Sequence, residues 1–563
     1  MNKKLSRVIV SSLFSLTVAL AAVGVTNLLN ATVQAATISG TGTLSGKVDA
    51  PKPFQAAQVY VKNLDNHMLY VVYTANGQYL AVNLLPGNYE VSVTKNGFAC
   101  DSKKVTVSAG AGATMDFMLR EAPMKINRSV HSAQGPNGAS NVPAVAYDEL
   151  YPPGPGRVLI ENNCMLCHGV DFVPSHQWNA DQWSAAIDLM SDPTATIPGR
   201  IVPGSLSPKD REDLVSYLVQ NYGPDSTPRG LAVPEMPVDE AAISKAMYVE
   251  YPVPVEYGRP LHDDHFDKDG NIWFSERASG RASIGMVDPR TGIFKDYPIP
   301  TKNSYPHGIT VDGAGDMWWV GDLALGRVNT KTGDMTLYPF GVQQTNKQNH
   351  GHTPVIDSKQ NVWFTQSYNN ELGKWDRETG KLTSYKVPTA YGFAYGLAVD
   401  KKDNLWIAEW TRCKVAKFDP TTEAFIEYSP LTRPCTMRRL SVDADGMVWY
   451  ALDSIGKFGK LDPNTGKIVE YTLPVKYAYP YDIQPDHEGS LWISDSGQGG
   501  ALVHFNPKTG KFVYFPSPQR TDMPKIEILR DGAILYTNRN AYIQSVGIMY
   551  PDKTKMTTLG AYH

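Results

Sequence analysis

Two hydrophobic rhythms run along this chain. In the segments 58–61, 89–93 and 104–107, apolar and polar residues alternate, the period-two pattern of half-buried strands. Asn76-Gly77 and Pro86-Gly87-Asn88 supply the turns between them. A helical period follows. Trp183, Ile187 and Met190 fall on one stripe of the segment 181–190. Leu214, Tyr217, Leu218 and Tyr222 fall on another, opened by Ser207 as cap and Pro208 in the first helical position. From about residue 246 the strand rhythm returns as a repeat. "HFDKDGNIWFSE", "TVDGAGDMWWVG", "VIDSKQNVWFTQ", "AVDKKDNLWIAE", "SVDADGMVWYAL" and "QPDHEGSLWISD" share an Asp at 267, 312, 357, 400, 443 and 486, each with Trp six residues later. A degenerate seventh copy, "EILRDGAILYTNRN", puts Tyr536 in the tryptophan place. Each copy is followed by a second turn such as "KLDPNTGKIVEY". Four strands per unit at a period of 43–45 residues predict a seven-bladed β-propeller. Both 247–254 and 556–562 read as an outermost strand, and the N-terminal one is expected to close the ring.

The predicted fold class is therefore multidomain and mainly β: a β-sandwich, a small all-α domain and a propeller. The expected boundaries are 1–35 signal peptide, 38–120 sandwich, 121–150 linker, 151–223 helical domain, 224–245 linker and 246–563 propeller. The N-terminus carries Lys3, Lys4 and Arg7, then an apolar run, then Val33-Gln34-Ala35, the layout of a secretory signal. No later stretch has the length of a membrane span. A net charge of −3 over 563 residues, without a basic run, gives no sign of nucleic-acid binding. The expected location is a bacterial periplasm or the exterior.

Export sharpens the reading of "ENNCMLCHGV". Cys164, Cys167 and His168 form CxxCH. A zinc knuckle needs a second ligand pair, and a thioredoxin-like motif needs a βαβ setting; neither is present. In c-type haem attachment the two thiols bond the porphyrin and the adjacent histidine reaches the iron, which this spacing allows. The segment "GSLSPKDREDLVSYLVQNYG" resembles the C-terminal helix of class I cytochromes c. That resemblance implies one covalent haem c, with His168 as one axial ligand. Met190 is the expected second ligand, with His176 or an open position as alternatives. Of the remaining cysteines, Cys100 reads as a buried thiol. Cys413 and Cys435 fall on one face of one blade, as a disulfide or two unlinked thiols.

The segment "LLPGNYEVSVTKNGF" resembles carboxypeptidase-regulatory-like β-sandwiches, which implies a spacer or a contact to a glycan or surface rather than catalysis. In the propeller, the residue five before each repeat Asp starts the innermost strand: His262, His307, His352, Tyr395, Arg438, Tyr481 and Lys525. Three past each Trp or Tyr come Glu276, Gly321, Gln366, Glu409, Leu452, Asp495 and Arg539. Both sets fall near the axis on one face. "PHGITVDGAGDMWW" and "YGLAVDKKDNLWIAEW" resemble the streptogramin lyase (virginiamycin B lyase) propellers. That family breaks an ester by elimination with histidines, a tyrosine and glutamates around Mg²⁺. The resemblance implies catalytic roles for His307, His352 and Tyr395. Two positions depart from it: His350 and Gln366 stand where the family has glutamate. A cluster including His262 and His350 suits Zn²⁺, Cu or Fe better than Mg²⁺.

Three functions follow as expectations. The first is an exported haem-c oxidoreductase that works on a small-molecule substrate in the propeller and passes electrons to a redox partner protein. The second is a carbon–oxygen lyase with a fused cytochrome. The third is a non-catalytic electron-transfer or binding protein.

Overall fold

The computed structural model describes residues 38–66, 68–128, 142–192, 206–254, 260–277, 282–301, 304–340, 350–497, 500–519, 521–539 and 544–560. The segment 1–35, expected from sequence to be a signal peptide, lies outside them. Among the described residues no helix is long and apolar enough to cross a membrane.

The repeat folds as its spacing requires, into six separate four-stranded antiparallel sheets and a seventh closed by an early strand. In the first six blades the repeat Asp organises the turn. Asp267 accepts the backbone N–H of Asp269 and Asn271 through one oxygen and the Trp273 indole N–H, at 2.8 Å, through the other. The same indole bond recurs at Trp318, Trp363, Trp406 and Trp449. The six-residue spacing is thus a hydrogen-bond constraint, and the buried indoles fill the space between neighbouring blades. A second constraint lies in the third strands. A Cβ on Gly285 or Gly373 would come within 2.3 Å of the Phe274 or Phe364 ring, so glycine is what lets each ring lie flat across the next strand.

The closing strand is Met247–Pro252, as expected. It pairs antiparallel with Ser545–Tyr550, the third strand of the last blade. The tail after Lys553–Lys555 forms no strand in its described part. The other edge of Met247–Pro252 pairs with Leu69–Tyr73 of the sandwich, so Tyr248 faces Met549 on one side and Val71 on the other. One eight-stranded sheet therefore runs from the last blade into the sandwich. The sandwich is built onto the propeller, with a shared apolar core from Val59 and Tyr70 to Leu535 and Ile548. Glu250 is buried in this seam, taking hydrogen bonds from the Tyr536 hydroxyl and the Asn538 amide at 2.8 Å.

The segments expected to be linkers carry structure. Asn127–Arg128 and Ala144–Val145 both pair with Gly230–Val233, tying the two ends of the helical unit together. That unit starts at Tyr147–Leu150, four residues before the predicted boundary. Its main helices are α1 (Met165–His168), α2 (Ala180–Ser191) and α3 (Pro208–Tyr222). Ser207 and Asp210 form a capping box on α3, and Asn179 and Gln182 form one on α2. Trp183, Ile187, Leu214, Tyr217, Leu218 and Tyr222 make the core, so the helical stripes in the sequence face one another.

The helical unit rests on the end of the propeller where the innermost strands begin. Tyr147 stacks on Tyr477, ring centroids 5.9 Å apart, and the Thr436 hydroxyl donates to the Leu166 carbonyl of α1 at 2.9 Å. Cys413 and Cys435 are joined as a disulfide directly before Thr436. The bond closes a loop of 22 residues, for which chain entropy assigns about 3 kcal/mol. Replacing both cysteines by alanine should lower the urea-unfolding free energy of the exported protein by that amount. A loss below about 1 kcal/mol would assign the loop's order to packing alone.

Candidate functional site

The innermost strands converge, and the structure brings their first residues into one ring of contacts. His262 belongs to Leu261–Phe266, His307 precedes Gly308–Val311, and His352 belongs to Gly351–Ile356. The His262 and His307 ring centroids are 3.6 Å apart, as are those of His307 and His352. Tyr395 follows, its ring 3.5 Å from His352. The Tyr395 and Tyr481 hydroxyls are 2.5 Å apart, and the Tyr481 hydroxyl lies 3.5 Å from His262 Nε2, which closes the circle.

Arg438 anchors this ring from the side of the helical unit. It donates to the Tyr395 hydroxyl at 2.9 Å and to Asp453 Oδ2 at 2.9 Å. Its guanidinium lies 4.0 Å from the Trp410 ring centroid. The single Thr436 hydroxyl proton is shared between Asp453 Oδ1 at 2.6 Å and the Leu166 carbonyl at 2.9 Å. A hydrogen-bonded chain therefore leads from the CxxCH helix through Thr436, Asp453 and Arg438 to Tyr395, whose ring packs against His352.

Burial, with added repulsion from Arg277, Arg439 and neighbouring groups, holds His262, His307 and His352 well below the ordinary imidazole pKa. Their second nitrogens are partly committed: His262 Nδ1 is 2.8 Å from Asp263 and His352 Nδ1 is 2.8 Å from Thr353. His307 Nδ1 and His352 Nε2 are buried with no hydrogen-bond partner among the described residues.

Other predicted residues are placed elsewhere. His350 points to Asp322, Nδ1 to Oδ1 3.1 Å, and stacks on Tyr368, so it does not join the three-histidine cluster that includes His262. Gln366 donates to Ser384 within its own blade. Lys525 donates to the Asp264 carbonyl and lines a cavity of about 380 Å³ with Asp263, Arg439 and Asp482, on the other side of the His262–Asp263 pair. Glu409 is fully buried, and burial reinforced by the charge of Glu427 pushes its carboxyl up to about 9. Trp410, Thr436 and Asp453 were not anticipated. Trp410 directly follows the end-of-strand position Glu409, and Asp453 directly follows Leu452; extending that set by one residue finds both.

In the helical unit, Cys164 closes a wide π-type turn, Ile160–Cys164, and Cys167 and His168 follow on α1. Such turns concentrate at functional sites. The His168 ring stacks on Phe172 at 4.0 Å, and Phe172 lies 4.5 Å from His176. The buried His176 places Nδ1 at 2.7 Å from the Phe172 carbonyl, an arrangement that leaves Nε2 as the lone-pair nitrogen. Met190 lies near the end of α2, outside the apolar core. His176, rather than Met190, shares a ring neighbour with His168.

The fold and site together define a seven-bladed β-propeller with a histidine-lined axial site, a β-sandwich spliced to its closing blade and a helical unit seated over its mouth. Residues 319–554 match the model of the Virginiamycin B lyase family, and residues 41–120 match that of the Carboxypeptidase regulatory-like domain. Among solved structures, the chain is similar to one described as a streptogramin B lyase, at 19% identity over 55% of this chain and 99% of that chain, TM-score 0.48. It is also similar to virginiamycin B lyase from Staphylococcus aureus, at 16% identity over 54% and 99%, TM-score 0.47. No curated protein matches. The chain carries a virginiamycin B lyase-like propeller and a carboxypeptidase regulatory-like N-terminal domain. Neither family match includes the CxxCH segment.

Proposed function

We propose that this is an exported c-type haem protein whose helical unit exchanges electrons with a small molecule converted at the histidine-bearing end of the propeller. The observation that carries this reading is the seat of α1: the carbonyl between the two cysteines is held by Thr436, the first link of the hydrogen-bonded chain to Tyr395, whose ring packs on His352. The donor set fits the group. Two thiols and an imidazole lie within five consecutive residues, and Cys164 packs against the apolar core that would exclude water from a porphyrin. A c-type haem bound there would supply one-electron redox chemistry. Cys164 and Cys167 would tether it, and His168 together with His176, in preference to Met190, would hold its iron. Within the propeller, Arg438 fixes the Tyr395 hydroxyl, and the Tyr395 ring packs against His352 at the place where substrate would sit.

A second reading is favoured by the family match over 319–554 and by the order His307, His352, Tyr395 on three successive blades. It is carbon–oxygen elimination, with His352 as base and Tyr395 returning the proton. One preparation tests both. Protein exported from a host with haem-attachment machinery should be coloured, with a mass gain of one haem on the peptide holding Cys164 and Cys167. Cys164→Ser with Cys167→Ser should abolish both signals. Colourless, unmodified protein overturns the first reading. Ester cleavage that persists in the double serine variant supports the second.

A further inference from the structure

We infer that His262, His307 and His352 form a binding site for one transition-metal ion, with Zn²⁺, Cu²⁺ or Fe²⁺ as the class. The inference requires only that the funnel is the reactive centre; it does not depend on a haem. One ligand atom from each ring lies within 4.8 Å of the other two. The residues are 1%, 2% and 0% exposed, so their lone pairs do not face bulk water. His307 Nδ1 and His352 Nε2 have no hydrogen-bond partner among the described residues, a cost a buried polar atom does not bear without return.

The surroundings hold the rings as metal sites hold theirs. Asp263 takes His262 Nδ1 at 2.8 Å and is itself paired with Arg439, so the ring is oriented by a carboxylate and Nε2 is turned to the cluster. The Thr353 hydroxyl lies 2.8 Å from His352 Nδ1 and leaves Nε2 as the outstanding nitrogen there too. Three imidazoles without a carboxylate suit zinc or the later transition metals and do not suit Mg²⁺ or Ca²⁺. Nearby guanidinium charge opposes a bare cation. Arg438, Arg439 and Arg539 each carry a carboxylate, namely Asp453, Asp263 and Asp522. Arg277 adds positive charge beside the rings. That excess selects an anion, such as hydroxide or a substrate oxyanion, as the fourth ligand. It also sets the identity of the metal centre apart from the His262 and His350 pairing expected from sequence.

The test uses the full exported chain, stripped with a chelator and titrated with Zn²⁺ and with Co²⁺ in a calorimeter, with metal content read by mass spectrometry. One ion per chain is expected. His262→Gln, His307→Gln or His352→Gln should each weaken binding by more than about 100-fold, and Asp263→Asn by about 10- to 100-fold. His350→Gln should leave it unchanged. Should a triad variant fail to fold, X-ray absorption at the zinc edge of the wild-type protein should count three imidazole ligands. No stoichiometric uptake, unchanged binding in the triad variants, or a different ligand set would overturn the inference. Haem content is read separately by its own spectrum. A colourless protein that binds one zinc ion would sink the haem reading and leave this inference standing.

Discussion

Asp453→Ala is expected to destabilise the propeller by about 3–5 kcal/mol, the cost of leaving a buried cation without its partner. Arg438 is 8% exposed and Asp453 fully buried, so water cannot replace the lost carboxylate. The damage should spread in two directions, because Asp453 is shared. On one side it frees Arg438, which positions the Tyr395 hydroxyl. On the other it frees Thr436, which holds α1 through the Leu166 carbonyl. Hydrogen exchange should therefore rise in residues 165–168 as well as in the loop around Thr436. Replacing both partners, Asp453→Leu with Arg438→Met, should recover much of the stability and none of the Tyr395 placement. Thermal unfolding and exchange of the single and double variants check this. A loss under about 1 kcal/mol for Asp453→Ala would show that the pair is solvated in solution.

The second large effect is a pH dependence centred on Glu409. Burial, with the neighbouring Glu427 charge, raises its carboxyl pKa from 4.5 to about 9. Glu427, Lys414 and Arg412 are the charged groups that face it. The folded state holds this proton when the unfolded chain has released it. Its contribution to stability is therefore complete below pH 4.5 and is lost as pH rises towards about 9. Within that window the group lowers stability by about 1.4 kcal/mol per pH unit. Glu409→Gln stays neutral throughout and should flatten the alkaline limb of stability against pH by that slope. The check is urea unfolding of both proteins at several pH values. Parallel limbs would mean that Glu409 is ionised in the folded protein.

How much of this was legible beforehand depends on the range of the interaction involved. The blade count, the Asp-to-Trp spacing and the closing strand are local patterns, and each appears in the structure as read. The sequence left Cys413 and Cys435 open between a disulfide and two unlinked thiols, and the structure joins them. The seam to the sandwich was invisible, because Leu69–Tyr73 and Met247–Pro252 are distant in sequence and each reads only as an ordinary strand. His350 was grouped with His262 because both neighbour the strand starts. A positive backbone φ of 48° at His350 instead turns the chain there, and its ring goes to Asp322 and Tyr368. Met190 was chosen as the methionine of its segment, and only packing shows it outside the core that holds His176.

Taken alone, the residue order settled the seven-fold repeat and the histidines at the strand starts, because periodicity and spacing are short-range constraints that each strand or turn must satisfy locally. Which histidines meet, which arginine is paired, and where the helical unit sits were decided only when the blades closed. Those contacts join residues hundreds of positions apart, such as Tyr147 with Tyr477 and Thr436 with Leu166, and their geometry follows from how the sheets pack around the axis.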